Sequence, residues 1–188
     1  MGQARAELLE MLSGWSQAQG AFRPSPEKWS TSEILEHLYA SEFAVINRMW
    51  KGIDGLRSDQ PIWKGEHTHR ECSVEAITTA ANFAHGNHKA HPLADVRFGG
   101  PLCAWLAALD SCQPLLDCLG SALRQVDSKQ IVYPHYFMGP MDANQWLDFL
   151  SYHLHHHRRQ IEQLRAMEGF PAETHRLQDE RAWNRYLS

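Results

Sequence analysis

The chain has 188 residues, of which 43% are hydrophobic and 21% are charged, and this length suits one domain, 1–188, with a buried core. Its 18 Lys and Arg residues against 22 Asp and Glu residues give a net charge of −4 with neutral histidines, which argues against nucleic acid or anionic lipid as a partner. The longest uninterrupted apolar run, Leu102–Leu109, is too short to span a membrane.

The N-terminal stretch does not resemble a secretory signal, because Arg5, Glu7 and Glu10 interrupt its apolar positions. The four cysteines form no C-x-x-C pair, so we expect reduced thiols that behave as small apolar residues. Both features predict a cytoplasmic protein.

A first helix is predicted over about residues 3–20. Leu8, Met11, Leu12 and Trp15 recur there at spacings of three and four, which places them on one face of a helix. We expect this face to contribute to the core.

The second helix is predicted over about residues 30–51. Ser30 followed by Glu33 is the pattern of a capping box, in which the two residues satisfy each other's backbone amides. Gly52 or Gly55 is expected to end the helix.

The third and fourth helices are predicted over about 101–124 and 142–167. Leucines at helical spacing mark a core-facing stripe in the third, which we expect Pro114 to bend. Asp142 and Gln145 form a second capping box at the start of the fourth.

The remaining segments are a long connection over 53–100, with a short helical candidate at 74–85, and a C-terminal extension over 168–188. Gly139-Pro140 is expected to be a turn, and no segment is rich in strand-forming residues. The sequence therefore predicts an all-α protein, a four-helix bundle with a long connection between helices 2 and 3.

Histidines stand out, with 12 in the chain. His153 and His157 are spaced i, i+4 and share the inward face of the fourth helix, whereas His155 and His156 are expected to point elsewhere. His37 lies at the margin of the second helix's apolar stripe, and bundle packing can bring it beside the pair. Three imidazoles with a remaining open position form a metal site of the catalytic type, which suits zinc, nickel, copper or ferrous iron.

The spacing alone has another reading, since a paired or single histidine on a helix is often a hydrogen-bonded boundary residue. A second group of histidines in the long connection is interpreted mainly as solvated loop residues, with a metal site or a role in substrate binding as alternatives: His67, His69, His85, His88 and His91. Gln160 and Asp148 are candidate hydrogen-bond partners for ligating histidines, and no residue is assigned a catalytic role.

Three stretches of the chain resemble a known family. They are the segment from Trp29-Ser30 to His37-Leu38, the turn Phe137–Met141 followed by Trp146-Leu147, and the ending H-x-x-x-H-R-R-Q-I over residues 153–161. These resemble motifs of the DinB/YfiT-like superfamily of bacterial metal-binding four-helix bundles, although Arg159 stands where many members have Gly.

The resemblance implies that His37, His153 and His157 hold a divalent transition metal, with zinc or nickel as the expected cofactor. It further implies a metal-dependent S-transferase that joins a low-molecular-weight bacterial thiol to an electrophile. The alternatives are a metal-dependent hydrolase and a non-catalytic bundle that binds metal or a small molecule. We also expect a homodimer, for which an exposed Trp105 or Trp183 is a candidate contact.

Overall fold

The computed structural model describes residues 2–83 and 94–172, and this part of the chain is mostly helical with one small sheet. Its helices and strands are, in chain order, α1 Gly2–Met11, α2 Gln17–Ala21, α3 Thr31–Arg57, α4 Val74–Ala80, α5 Leu102–Leu123, β1 Val132–His135, β2 Gly139–Asp142 and α6 Ala143–Arg165. A single 3-10 turn, Ser128–Gln130, precedes β1.

The first predicted helix, 3–20, is divided into α1 and α2. Gly14 has a φ of +84°, a left-handed conformation that glycine adopts without steric cost and that interrupts a right-handed helix. Ser16 then starts α2 through its own capping box with Gln19. The continuous helix was therefore wrong, although Leu8 and Leu12 are fully buried.

Helix α3 begins with the predicted capping box of Ser30 and Glu33 but runs beyond both glycines that were expected to end it. Gly52 and Gly55 lie inside the helix and are buried. A Cβ at Gly52 would collide with the side chain of Ile131, and one at Gly55 would collide with a backbone carbonyl. These glycines permit close packing of neighbouring chain on α3, which is why they are compatible with the helix.

Helix α5 contains Pro114 without interruption and is long and apolar enough to cross a membrane by length and composition. Five of its leucines nevertheless face the core: Leu102, Leu109, Leu116, Leu119 and Leu123 are buried, whereas Leu115 is exposed. A long apolar helix with leucines buried along one face is also typical of the core of a soluble protein.

Two short strands, β1 and β2, pair antiparallel just before α6. Gly139-Pro140, expected as a turn, instead lies within β2, and Gly139 has a φ of +88°. Tyr133 stacks on Trp146 with ring centroids 4.5 Å apart, and the Trp146 indole N–H donates to the Tyr133 carbonyl. The hairpin corrects the expectation of a protein without strands, and these contacts pack it against α6.

The long helices pack on one another around two groups of buried apolar side chains. Helix α3 contacts α5 along much of its length and also contacts α6, while α1 contacts both α5 and α6. The helical class of the fold is as predicted apart from the sheet, and the four-helix bundle and the single domain stay predictions. His85, His88, His91 and Trp183 lie outside the described residues, as does the C-terminal extension beyond residue 172.

Candidate metal centre

Three histidines from two helices meet in the interior. His37 comes from α3, and His153 and His157 come from successive turns of α6; their exposed fractions are 7%, 5% and 5%. The Nε2 atom of His153 lies 3.1 Å from that of His37 and 2.9 Å from that of His157. The structure therefore brings together the three residues that the sequence singled out.

Two of these rings are fixed in one tautomer by carbonyl oxygens. The Nδ1 atom of His37 lies 2.6 Å from the carbonyl oxygen of Ala94, and that of His157 lies 2.8 Å from Oε1 of Gln160. Because a carbonyl oxygen only accepts hydrogen bonds, each Nδ1 carries the hydrogen and donates it. Both Nε2 atoms consequently direct lone pairs toward His153.

His153 cannot satisfy this arrangement alone. A hydrogen on its Nε2 can be donated to one of the two facing lone pairs, while the other stays unpaired. Its Nδ1 atom is buried and has no hydrogen-bond partner among the described residues, which is rare for buried polar groups. A cation shared by three Nε2 atoms removes the conflict, so these residues fit a transition metal.

Burial keeps the three imidazoles neutral. Desolvation lowers the pKa of His37 and holds the pKa values of His153 and His157 well below their usual range, and neighbouring imidazoles add to the effect at each. Neutral imidazole is the form that binds a metal. The site is thus prepared for a cation at neutral pH.

Aromatic rings surround the three histidines. Phe149 stacks on His153 at 5.3 Å and 18°, Phe83 meets the same ring edge-on, and Trp29 lies 5.0 Å from His37. Such an apolar shell limits access of water and strengthens electrostatic interactions inside it.

His156 lies at the rim of this group, contrary to the expectation that it points elsewhere. Its ring is 5.1 Å from that of His157 and 5.4 Å from that of Phe83, and its proximity lowers the pKa of His37, His153 and His157. The i, i+3 spacing from His153 was the signal for this proximity, since residues three apart share a helix face.

His155 and Asp148 belong to a different face of α6. Both line a polar cavity of about 530 Å³ together with Tyr152, Arg159 and residues at the start of α4. Among the described hydrogen bonds none joins Asp148 to the three histidines, whereas Gln160 makes the predicted bond.

His67 and His69 attach the segment between α3 and α4 to the start of α6 and to β2, respectively. Nε2 of His67 lies 3.1 Å from Oε1 of Gln145, and Nδ1 of His69 donates to the carbonyl of Pro140 at 3.0 Å. Within residues 2–83 and 94–172, the only group of three or more potential ligands close enough to share an ion is His37, His153 and His157. These contacts favour a structural role for the two loop histidines.

Comparison with known proteins agrees with the motifs. A sequence model of the DinB superfamily matches residues 1–161, which include all three histidines. The chain is also similar to YuaE of Bacillus subtilis (strain 168), described as uncharacterized, with 24% identity over 166 residues that cover 88% of this chain and 93% of that protein. No solved structure matches the chain.

Proposed function

The chain belongs to the DinB superfamily, whose model covers residues 1–161, and from that premise we propose that it is a metal-binding protein with one divalent transition metal per chain. The observation that carries the proposal is the convergence of three buried Nε2 atoms, two of which present lone pairs to the third ring. In the proposed fold, α1 with α2, α3, α5 and α6 form the four-helix bundle around this centre.

In this proposal His37, His153 and His157 hold the metal, and zinc or nickel is the expected ion. Three protein ligands leave a coordination position for a substrate, as in catalytic sites. Bound there, the metal would supply Lewis-acid chemistry, which lowers the pKa of a thiol or of water. The Ala94 carbonyl and Gln160 orient two of the rings, and the aromatic shell excludes water.

The proposed reaction is an S-transfer from a low-molecular-weight thiol. The thiol sulfur forms a bond to an electrophilic carbon, the leaving group departs with the bonding electrons, and the thiol proton passes to solvent. Three features support this proposal: the family membership, three neutral imidazoles of a kind that suits zinc or nickel, and apolar surroundings suited to a neutral electrophile.

Two further features belong to the proposal. A reducing, cytoplasmic location is supported by cysteines that are free in the described part of the chain. A homodimer stays a prediction. Trp105, its candidate contact, is half-buried, and its indole N–H donates to the Gly99 carbonyl.

The metal content of untagged protein tests the first step. After removal of bound metal, titration with zinc or nickel should give one ion per chain. His37→Ala, His153→Ala and His157→Ala should each abolish tight binding, whereas His155→Ala, a matched control on the face of α6 that lines the polar cavity, should retain it. Unchanged stoichiometry in the His37→Ala variant would contradict a centre built from two helices.

A substrate screen tests the second step. Metal-loaded protein is incubated with a panel of low-molecular-weight thiols and monochlorobimane, and thiol consumption is followed by fluorescence. Turnover that disappears on demetallation supports an S-transferase. Hydrolysis of thioesters or amides without S-transfer would instead indicate a hydrolase, and inactivity in both screens would support a non-catalytic metal-binding protein.

A further inference from the structure

A buried carboxylate adjoins the centre without being one of its ligands. Glu36, which immediately precedes His37 on α3, is 2% exposed. Its carboxylate accepts hydrogen bonds from the backbone N–H groups of Arg97, Phe98 and Gly99 at 2.6, 2.8 and 3.0 Å. Three consecutive amides therefore converge on one side chain.

These three hydrogen bonds offset the free-energy cost of burying the Glu36 carboxylate. A buried carboxylate is strongly unfavourable unless hydrogen bonds replace its hydration, and charge-assisted bonds from amides are among the stronger ones. No ion pair to Glu36 occurs among the described residues. Gly99 and Gly100 have φ values of +63° and +116°, which glycine tolerates and which allow the chain to turn at this point.

The same short segment supplies the partner of a candidate ligand. Ala94, which is buried, accepts from Nδ1 of His37 through its carbonyl oxygen. Adjacent side chains of α3, about 100° apart around the helix, thus hold the two ends of segment 94–99. Neither Glu36 nor the segment touches the metal-facing Nε2 atoms directly.

We propose that Glu36 is a positioning residue of the metal centre. By holding residues 97–99 it fixes the Ala94 carbonyl, which keeps the hydrogen on Nδ1 of His37 and directs the Nε2 lone pair toward His153. The effect on metal affinity rests on the proposed function, but the effect on the His37 tautomer does not.

A purely structural role for Glu36 can be distinguished by experiment from a role in positioning His37. If the Glu36 carboxylate only stabilised the loop, its substitution would lower the stability of the protein and leave the tautomer of His37 unchanged. A positioning residue acts through the Ala94 carbonyl, so its loss should alter the imidazole nitrogens themselves. The nitrogen tautomer is therefore the discriminating measurement.

The experiment compares Glu36→Gln with Asp54→Asn. Glutamine keeps the shape but has one acceptor oxygen, and its NH2 group faces at least one of the three donors. Asp54, on the last turns of the same helix and 78% exposed, loses the same charge without contacting the segment. Long-range proton–nitrogen correlation spectra of metal-free protein report the His37 tautomer, and competition with a chromophoric chelator reports zinc affinity.

We expect Glu36→Gln to lose the single Nδ1–H tautomer of His37 and to bind zinc about 10- to 100-fold more weakly, the range typical of groups that orient metal ligands. Asp54→Asn should match the wild type in both. A Glu36→Gln variant with the wild-type tautomer of His37 would overturn the proposal, whatever its zinc affinity. If the wild type binds no zinc, the proposed function fails while the tautomer still decides the role of Glu36.

A measurement on the unaltered protein covers the case in which Glu36→Gln does not fold. The amide hydrogens of Phe98 and Gly99 should exchange with solvent slowly, although the Phe98 side chain is exposed, because both are bonded to a buried carboxylate. Exchange at the rate of an unprotected loop would overturn the proposal.

Discussion

Arg5 of α1 and Glu42 of α3 form an ion pair inside the core, with side chains that are 2% and 1% exposed. The guanidinium also donates to Gln113 of α5, so one side chain connects three helices. Burial raises the pKa of Glu42 although Arg5 opposes the shift. The pair thus fixes the position of the N-terminal helix at a considerable cost of desolvation.

Removing one partner of this pair should be far more damaging than removing both. Glu42→Leu leaves the Arg5 guanidinium buried and uncompensated, and we expect the free energy of unfolding to fall by about 3–5 kcal/mol. The double variant Arg5→Met with Glu42→Leu should recover most of that loss. Urea unfolding followed by circular dichroism measures both, and a single variant within about 1 kcal/mol of wild type would contradict the expectation.

The stability of the metal-free protein should fall with decreasing pH. The folded-state pKa values of His37, His153 and His157 are lowered, so below about pH 6.5 the unfolded chain binds protons that the folded chain does not. The stabilisation is complete above that pH and is lost as pH falls toward the folded-state values. Each histidine contributes at most about 1.4 kcal/mol per pH unit.

Urea titrations at pH 7.5 and 5.5 measure this dependence. His153→Phe should reduce the slope by up to one proton, whereas His155→Gln serves as the matched change on the face of α6 that lines the polar cavity. Equal slopes in the wild type and His153→Phe would show that burial does not keep this imidazole neutral.

Gln160 should affect metal affinity although it is not a ligand. Its Oε1 atom accepts the Nδ1–H of His157, and loss of such a partner commonly weakens metal binding 10- to 100-fold. We expect this range for Gln160→Ala, measured by zinc competition. Gln163→Ala, an exposed change on the next turn of α6, is the control; equal affinities in the two variants would exclude an orienting role.

The four thiols should divide three to one in reactivity. Cys72, Cys103 and Cys118 are exposed, whereas Cys112 is buried, and burial, with the nearby Glu42 charge, raises the pKa of Cys112 to about 12. Ellman's reagent at pH 8 should therefore titrate three thiols in the folded protein and the fourth after unfolding. Rapid reaction of all four thiols would contradict this expectation. So would fewer than three rapidly reacting thiols in the Cys112→Ser variant.

Local features of this protein were predictable because they involve atoms within one helical turn. The capping boxes of Ser30 with Glu33 and of Asp142 with Gln145 are both present. The i, i+4 spacing likewise placed His153 beside His157. The break between α1 and α2 at Gly14 was not predicted, because the helical spacing of the apolar residues continues on both sides of this glycine.

Tertiary contacts decided the rest, because the partner of a buried group is chosen by segments far away in the chain. Gly52 was predicted to end the second helix but lies inside α3, where the side chain of Ile131 packs against it. Ala94, 57 positions beyond His37, sets the tautomer of that ring. The sequence by itself determined which imidazoles are available, whereas the fold determined that three nitrogen atoms face one point and that a neighbouring carboxylate holds the loop behind them.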